Sequence, residues 1–135
     1  EKASFLTENM MPIQESGQLK MVDVKDGVQF TDHISLRFVS GHTDAMMLPL
    51  INYKGKQVLY MADLLPSIGH LPIPYVMSYD MYPLTTMAER KKYWAEALEK
   101  DFILYLEHDP VNECCTLQQT EKGIRVKETF RLEEI

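Results

Sequence analysis

The stretch SGHTD at residues 40–44 separates two apolar segments, ISLRFV at residues 34–39 and AMMLPLINY at residues 45–53. The first segment alternates apolar and polar residues, which is typical of a half-buried strand. Gly41 makes a tight turn possible between the two segments, and that turn presents His42. An imidazole at the end of a strand is a good ligand for zinc and other divalent transition metals. The stretch therefore predicts two neighbouring strands joined by a functional turn.

Further strands are predicted on both sides of this pair. The tripeptide Lys54-Gly55-Lys56 connects residues 45–53 to the apolar run QVLYMA at residues 57–62, which is typical of a β-hairpin. Alternating or fully apolar segments predict four more strands, at residues 28–30, 102–106, 114–119 and 124–130.

Helices are predicted at the start and in the second half of the chain. Residues 2–10 and 12–21 carry apolar residues at helical spacing, so they predict two short helices or one kinked helix, with Pro12 in a first turn. Thr86 and Glu89 have the spacing of a capping box, which predicts a helix that starts at Thr86. The proline-rich residues 64–83 lack periodicity, and we expect a functional loop that forms a pocket wall.

Length and composition limit the classes of protein that the chain can represent. Its 135 residues, 45% of them hydrophobic, suit one compact domain. Fourteen basic and twenty acidic residues give a net charge of −6, which disfavours nucleic-acid and anionic-membrane partners. No apolar run is long enough to span a bilayer. The adjacent Cys114 and Cys115 predict free thiols in a reducing cytoplasm rather than a disulfide.

Two more metal-capable side chains follow predicted strands. Asp63 ends the strand at residues 57–62, and His108 ends the strand at residues 102–106. Taken singly, such residues are commonly solvated or form turns. Together with His42, they supply two imidazoles and a carboxylate at three strand ends, so we predict a shared metal site.

Residues 27–129 resemble the C-terminal half of a metallo-β-lactamase-fold hydrolase. The resemblance lies in SGHT with His42, LYMAD with Asp63 and YLEHDP with His108, in the family's order and separations. The segment between Asp63 and His108 is most similar to the lactonase and organophosphate-hydrolase branch, and residues 2–20 resemble the helical segment of that branch. The resemblance implies an α+β fold: a mostly antiparallel sheet with flanking helices, one half of an αββα architecture.

The same resemblance implies a mechanism and a ligand set. His42 would bind one divalent ion, His108 a second, and Asp63 would bridge both, with zinc as the first choice and manganese or iron also suited. A metal-bridging hydroxide, oriented by the catalytic Asp63, would attack the carbonyl or phosphoryl centre of a small substrate. Lactones, organophosphate esters, β-lactams and thioesters all suit this chemistry.

One family motif is missing from the chain. The signature His-x-His-x-Asp-His, which supplies four ligands in the family, does not occur in the 135 residues. We therefore expect residues 1–135 to be a single-domain, C-terminal part of a longer cytoplasmic enzyme. The isolated chain should be inactive and should hold metal weakly or not at all.

Several assignments outside the ligand set have alternatives. His70, Tyr79 and Tyr82 are candidate substrate-binding residues in the pocket loop, although each could serve only in packing. Thr43 and Asp44 could orient the ligand imidazoles or could simply stabilise the turn. The alternative to an enzyme is a non-catalytic binding or assembly module that forms a homo-oligomer through an exposed sheet face.

Overall fold

The structure is a computed structural model that describes residues 6–135. The first helix, α1, spans Thr7–Glu15, so the start of the helix predicted over residues 2–10 lies outside the described residues. Pro12 lies inside α1, not in a first turn as predicted, and no helix covers residues 17–21. The helix ends here because Gly17, with φ 73°, adopts the left-handed conformation that commonly closes a helix.

Within residues 6–135, seven strands form a single sheet in chain order, which confirms the predicted α+β class. All neighbouring strands are antiparallel except β4 and β5, which are parallel. The strands are β1 (Val28–Thr31), β2 (Ile34–Val39), β3 (Met46–Tyr53), β4 (Lys56–Tyr60), β5 (Ile103–Tyr105), β6 (Cys114–Thr120) and β7 (Gly123–Phe130).

The direction of the strands determines where the site forms. Strand β2 is antiparallel to β3, and β3 is antiparallel to β4, so β2 and β4 run the same way. Strand β5 is parallel to β4 because the chain crosses over between them through a long loop and helix α2 (Pro83–Lys100). The carboxyl ends of β2, β4 and β5 therefore lie at one edge of the sheet.

The β3–β4 connection confirms the predicted hairpin. Tyr53 pairs with Lys56, which leaves Lys54 and Gly55 as a two-residue loop. Both loop residues have positive φ, 47° and 77°, as in the type I′ turn whose twist matches that of the strands.

The predicted start of helix α2 is wrong. The helix begins at Pro83, with Tyr82 at the N-cap position, so Thr86 lies inside it. Proline is suited to the first helical position because its missing N–H would have no partner there. Thr86 and Glu89 thus form no capping box, and Glu89 makes a different contact that is described below.

Helix α2 covers one face of the sheet, and the other face is only partly covered, by residues such as Leu132 and Ile135 that pack on the buried Val58. Tyr93, Trp94 and Ala97 of α2 belong to the main buried cluster, together with sheet residues such as Leu59 and Leu104. On the opposite face, two apolar grooves run across the strands, and we call this surface the open face. Its grooves are lined by Lys20, Val22, Phe30, Ile34, Leu36, Met47 and Pro49, and by Ile51, Tyr53, Val58, Tyr60, Tyr105 and Leu132. Within residues 6–135, no helix combines the length and the hydrophobicity needed to cross a bilayer.

Candidate functional site

Three side chains meet at the edge where β2, β4 and β5 end. His42 lies in the turn after β2, Asp63 in a single 3₁₀ turn (Ala62–Leu64) after β4, and His108 in the loop after β5. The His42 Nε2 atom lies 3.4 Å from Asp63 Oδ2, and His108 Nε2 lies 3.3 Å from Asp63 Oδ1. The structure therefore brings the three predicted ligands together, with Asp63 between the two imidazoles.

These two separations suit ligands that share a metal ion. An N–H···O hydrogen bond usually spans about 2.7–3.2 Å, which is shorter than both. Two ligands bound about 2.1 Å from one tetrahedral zinc ion lie about 3.4 Å apart. Among the described residues, no group of three or more His, Cys, Asp or Glu side chains is arranged to hold a metal ion by itself. The site thus consists of two ligand pairs that share Asp63.

The His42 turn is held against helix α2. The backbone N–H groups of Ser40 and Gly41 donate to the two carboxylate oxygens of Glu89, at 2.7 and 3.0 Å. A Cβ atom at Gly41 would lie 2.4 Å from the backbone nitrogen of Thr86. Gly41 is therefore required here because of the close approach of the helix backbone.

A carboxylate that the sequence analysis missed contacts the other side of the His42 ring. Asp80 Oδ1 lies 2.9 Å from His42 Nδ1, and the Asp80 side chain is completely buried. Asp80 Oδ2 also accepts the backbone N–H of Met77, at 3.3 Å. The earlier candidates for orienting an imidazole, Thr43 and Asp44, have no side-chain hydrogen bond to either ligand histidine in the described part of the chain.

The segment that carries Asp63 is under backbone strain. Ala62, directly before it, has φ 41°, a conformation that costs a non-glycine residue about 1 kcal/mol or more. The surroundings hold this conformation in place: Met61 donates its N–H to the Tyr105 carbonyl, and the Leu64 carbonyl accepts from the buried Arg90 guanidinium. Such strain is common at functional sites.

The loop that carries His108 is tied to the loop after Asp63. The His108 N–H donates to the Pro66 carbonyl at 3.1 Å, and the Asp109 carboxylate accepts the N–H of Ile68 at 3.0 Å. Burial would raise the pKa of Asp109, but backbone N–H groups, led by that of Asn112, outweigh burial and lower it. These two contacts hold the His108 loop against the loop that follows Asp63.

A cleft of about 440 Å³ opens beside His108. His70 and Tyr79, two predicted substrate-binding residues, line it, and the Ser67 hydroxyl lies 2.9 Å from His70 Nδ1. The Tyr79 ring also stands edge-on to His42, with centroids 6.1 Å apart. Tyr82 does not line this cleft; its backbone N–H donates to the Gly41 carbonyl instead. The other lining residues are Pro66, Ser67, Val76, Met77 and Ser78.

The cleft wall, residues 64–83, is organised by two side chains of α2. Arg90 is buried, and its guanidinium donates to the carbonyls of Leu64, His70 and Tyr75, at 2.9, 3.1 and 2.7 Å. The Trp94 indole N–H donates to the Leu71 carbonyl at 2.9 Å. Burial lowers the pKa of Arg90, and the negative charge of Asp80 opposes this effect. A loop with little regular structure is thereby fixed to the helix.

Solved structures with the same architecture are hydrolases. A probable metal-dependent hydrolase from Staphylococcus aureus is 18% identical, with a TM-score of 0.72 over 89% of this chain and 42% of its own. AidC, a dizinc quorum-quenching lactonase, is 19% identical, with a TM-score of 0.72 over 97% of this chain and 46% of its own. AbOPH, a hydrolase in the beta-lactamase superfamily, is 17% identical, with a TM-score of 0.72 over 87% of this chain and 40% of its own.

These likenesses show the fold. The chain has the fold of part of these structures, the metallo-β-lactamase fold that the sequence motifs predicted, and it spans less than half the length of each of these three structures. Neither a protein-family model nor a curated protein matches the sequence.

Proposed function

We propose that the chain is one half of a metal-dependent hydrolase and contributes three of its metal ligands. The observation that carries the proposal is the position of Asp63, whose two carboxylate oxygens each face a different imidazole Nε2 atom, at 3.4 and 3.3 Å. His42 would bind one ion, His108 would bind the other, and Asp63 would bridge them. Each ion then receives two ligands from this chain, so the rest of each coordination sphere must come from elsewhere.

The donor set fits divalent zinc, and it suits manganese and iron as well. Such a pair of ions supplies a nucleophilic water at neutral pH and polarises the substrate oxygen. Asp63 is only partly exposed, with 27% of its side chain accessible, and His42 is more buried at 14%. His108, at 54%, faces the cleft. The chain's own residues therefore hold the centre on one side and leave the His108 side open to a ligand.

The cleft beside His108 is the proposed place for a small-molecule substrate. His70 offers a ring nitrogen for hydrogen bonding. Tyr79 offers an aromatic surface that stands beside His42 and lines the same cleft as His108. One of the similar structures is described as a lactonase, so a lactone heads the range of substrates, with phosphoesters, β-lactams and thioesters behind it. The two buried free thiols fit a reducing compartment, and we propose a cytoplasmic protein.

Expression of the complete coding sequence to which the chain belongs tests this proposal. The purified protein should hydrolyse at least one member of a panel containing a lactone, a phosphotriester, a β-lactam and a thioester. The Asp63→Asn variant should lose this activity, while Asp44→Asn, an exposed neighbour of the His42 turn, should keep it. A coding sequence without a His-x-His-x-Asp-His string, together with no hydrolysis of any panel member, would contradict the proposal.

A second candidate function is assembly through the open face. Phe30 and Met47 are large apolar side chains that remain exposed there, and contiguous exposed apolar surface favours association. In this alternative the chain is a non-catalytic module that forms a homo-oligomer. Light scattering of the isolated chain should then give a multiple of the monomer mass.

A pair of variants distinguishes specific assembly through the open face from non-specific association. Met47→Glu places a charge on the open face and should shift the oligomer to monomer, whereas Leu84→Glu, on the exposed first turn of α2, should leave it unchanged. A monomeric parent chain, or equal effects of both substitutions, would count against this alternative.

A further inference from the structure

His42 lies between two carboxylates that contact opposite atoms of its ring. Asp80 Oδ1 lies 2.9 Å from Nδ1, and Asp63 Oδ2 lies 3.4 Å from Nε2. The first separation is that of a good hydrogen bond, and the second is longer than such bonds usually are. The Asp80 side chain is fully buried, whereas Asp63 is partly open to water, which weakens its attraction for a proton on the ring.

Asp80 is also fixed to the turn that it contacts. Its second oxygen accepts the Met77 N–H, while the N–H groups of Met81 and Tyr82 donate to the carbonyls of His42 and Gly41, at 3.1 and 2.8 Å. The carboxylate therefore has little freedom to rotate away from the imidazole. An ionised carboxylate can only accept hydrogen bonds, so the ring atom that faces it must donate.

We propose that Asp80 is a positioning residue that holds the His42 proton on Nδ1 and leaves the Nε2 electron pair directed to the Asp63 side. Only the use of that electron pair as a metal ligand rests on the proposed function. The orientation itself is a property of the metal-free chain. The group that hydrogen-bonds to the second ring nitrogen of a metal-binding imidazole commonly sets its tautomer and basicity.

The substitution Asp80→Asn leaves one acceptor oxygen to face two N–H donors, those of Met77 and His42. The asparagine oxygen can accept from Met77 N–H or from His42 Nδ1–H, but its NH₂ group must then face the other donor. Keeping the Met77 bond places NH₂ against Nδ1, which moves the His42 proton to Nε2. Asp44→Asn is the matched control, because Asp44 is in the same turn and exposed, and within residues 6–135 it has no hydrogen bond or ion pair to the ring.

Long-range ¹H–¹⁵N NMR spectra of the metal-free chain measure the tautomer directly. At the alkaline plateau of a pH series, His42 should show a protonated Nδ1 and an unprotonated Nε2 in the parent and in Asp44→Asn, and the reverse in Asp80→Asn. A parent chain with the proton on Nε2 would overturn the proposal without the need for any variant.

A zinc titration provides the second measurement. In the protein from the complete coding sequence, Asp80→Asn should weaken zinc binding by about tenfold to a hundredfold, with Asp44→Asn unchanged. Equal zinc affinity in the parent and in Asp80→Asn would overturn the role in metal binding. If neither the parent nor the two variants bind zinc while the parent tautomer is as expected, the proposed function fails and the orienting role of Asp80 stands.

Discussion

Gly41 and Thr86 approach so closely that a Cβ atom on Gly41 would lie 2.4 Å from the Thr86 backbone nitrogen. The neighbouring atom belongs to the backbone of Thr86, a buried residue of helix α2, so it cannot move aside as a flexible side chain could. This contact presses the His42 turn against α2, and the Glu89 carboxylate secures it by accepting two N–H groups of the turn. Helix packing and the position of a candidate metal ligand are thus coupled.

The substitution Gly41→Ala should therefore destabilise the protein. Overpacking typically lowers the free energy of unfolding by about 1–3 kcal/mol. Because the neighbouring atom here is rigid backbone, we expect a loss at or above the upper end of that range. The free energy of unfolding in urea measures the effect. Gly69→Ala is the control, because its added Cβ would meet only Ser67 Oγ, at an ordinary 3.5 Å. Equal stability of the two variants would show that the close approach is absent in solution.

Replacement of Arg90 by lysine should loosen the cleft wall. An ammonium group cannot reproduce the planar guanidinium that reaches the carbonyls of Leu64, His70 and Tyr75. Each buried carbonyl left without a donor costs about 1–3 kcal/mol, so we expect a loss of at least about 2 kcal/mol in urea unfolding.

The control for this substitution is Arg125→Lys. The Arg125 guanidinium is exposed and, among the residues that the structure describes, donates only to the neighbouring Ile124 carbonyl, so its replacement should change stability by less than about 0.5 kcal/mol. Similar losses for the two variants would contradict a special role for Arg90.

The carboxylate of Glu96 should make stability depend on pH. Burial alone would raise the pKa of Glu96, but the hydrogen bond from Lys100 and the positive charge of Arg37 outweigh it, and the pKa is lowered. A carboxylate with a lower pKa in the folded state stabilises that state above its unfolded pKa, and this contribution is lost as the pH falls through the folded pKa.

Urea unfolding between about pH 6 and about pH 3 measures this contribution. The parent chain should lose stability more steeply with acidification than Glu96→Gln does. Glu99→Gln, at an exposed position on the same helix, should follow the parent. A Glu96→Gln slope equal to that of the parent would rule out the ion pair as the cause.

The two thiols should be unreactive in the folded chain. Burial and then the Glu113 charge raise the pKa of Cys114 to about 11, and burial and then Cys114 raise the pKa of Cys115 to about 12. Since the thiolate is the reactive form, a disulfide reagent at about pH 8 should modify neither thiol in the native protein and both in denaturant. Rapid native labelling would contradict the described burial.

Much of the fold was predictable because strands β2–β7 have strong local patterns. Period-two alternation and the Lys54-Gly55 turn indicate strands and a hairpin without reference to distant residues. The start of α2 was not predictable in this way. Thr86 and Glu89 match a capping box locally, but Glu89 binds the N–H groups of a turn nearly fifty residues away, and Pro83 already starts the helix.

The candidate site, like the fold, could be predicted from the sequence only in part. His42, Asp63 and His108 each follow a recognisable strand, so their convergence could be predicted from the order of the strands. Asp80 was missed because it lies in a loop without periodicity, 38 residues from the imidazole it contacts. One signal could have identified it: Asp80 is the only acidic residue between Leu64 and Pro83, in an otherwise apolar setting.

In the proposed function, two metal ions share Asp63, one bound together with His42 and the other with His108. Metal content per chain, measured by elemental analysis of the protein from its complete coding sequence, tests this most directly. We expect two ions in the parent and in Asp44→Asn, a loss of about one ion in His42→Ala and in His108→Ala, and the loss of both in Asp63→Asn. An Asp63→Asn variant that is folded and keeps the metal content of the parent would contradict it, as would a parent protein that binds no divalent metal.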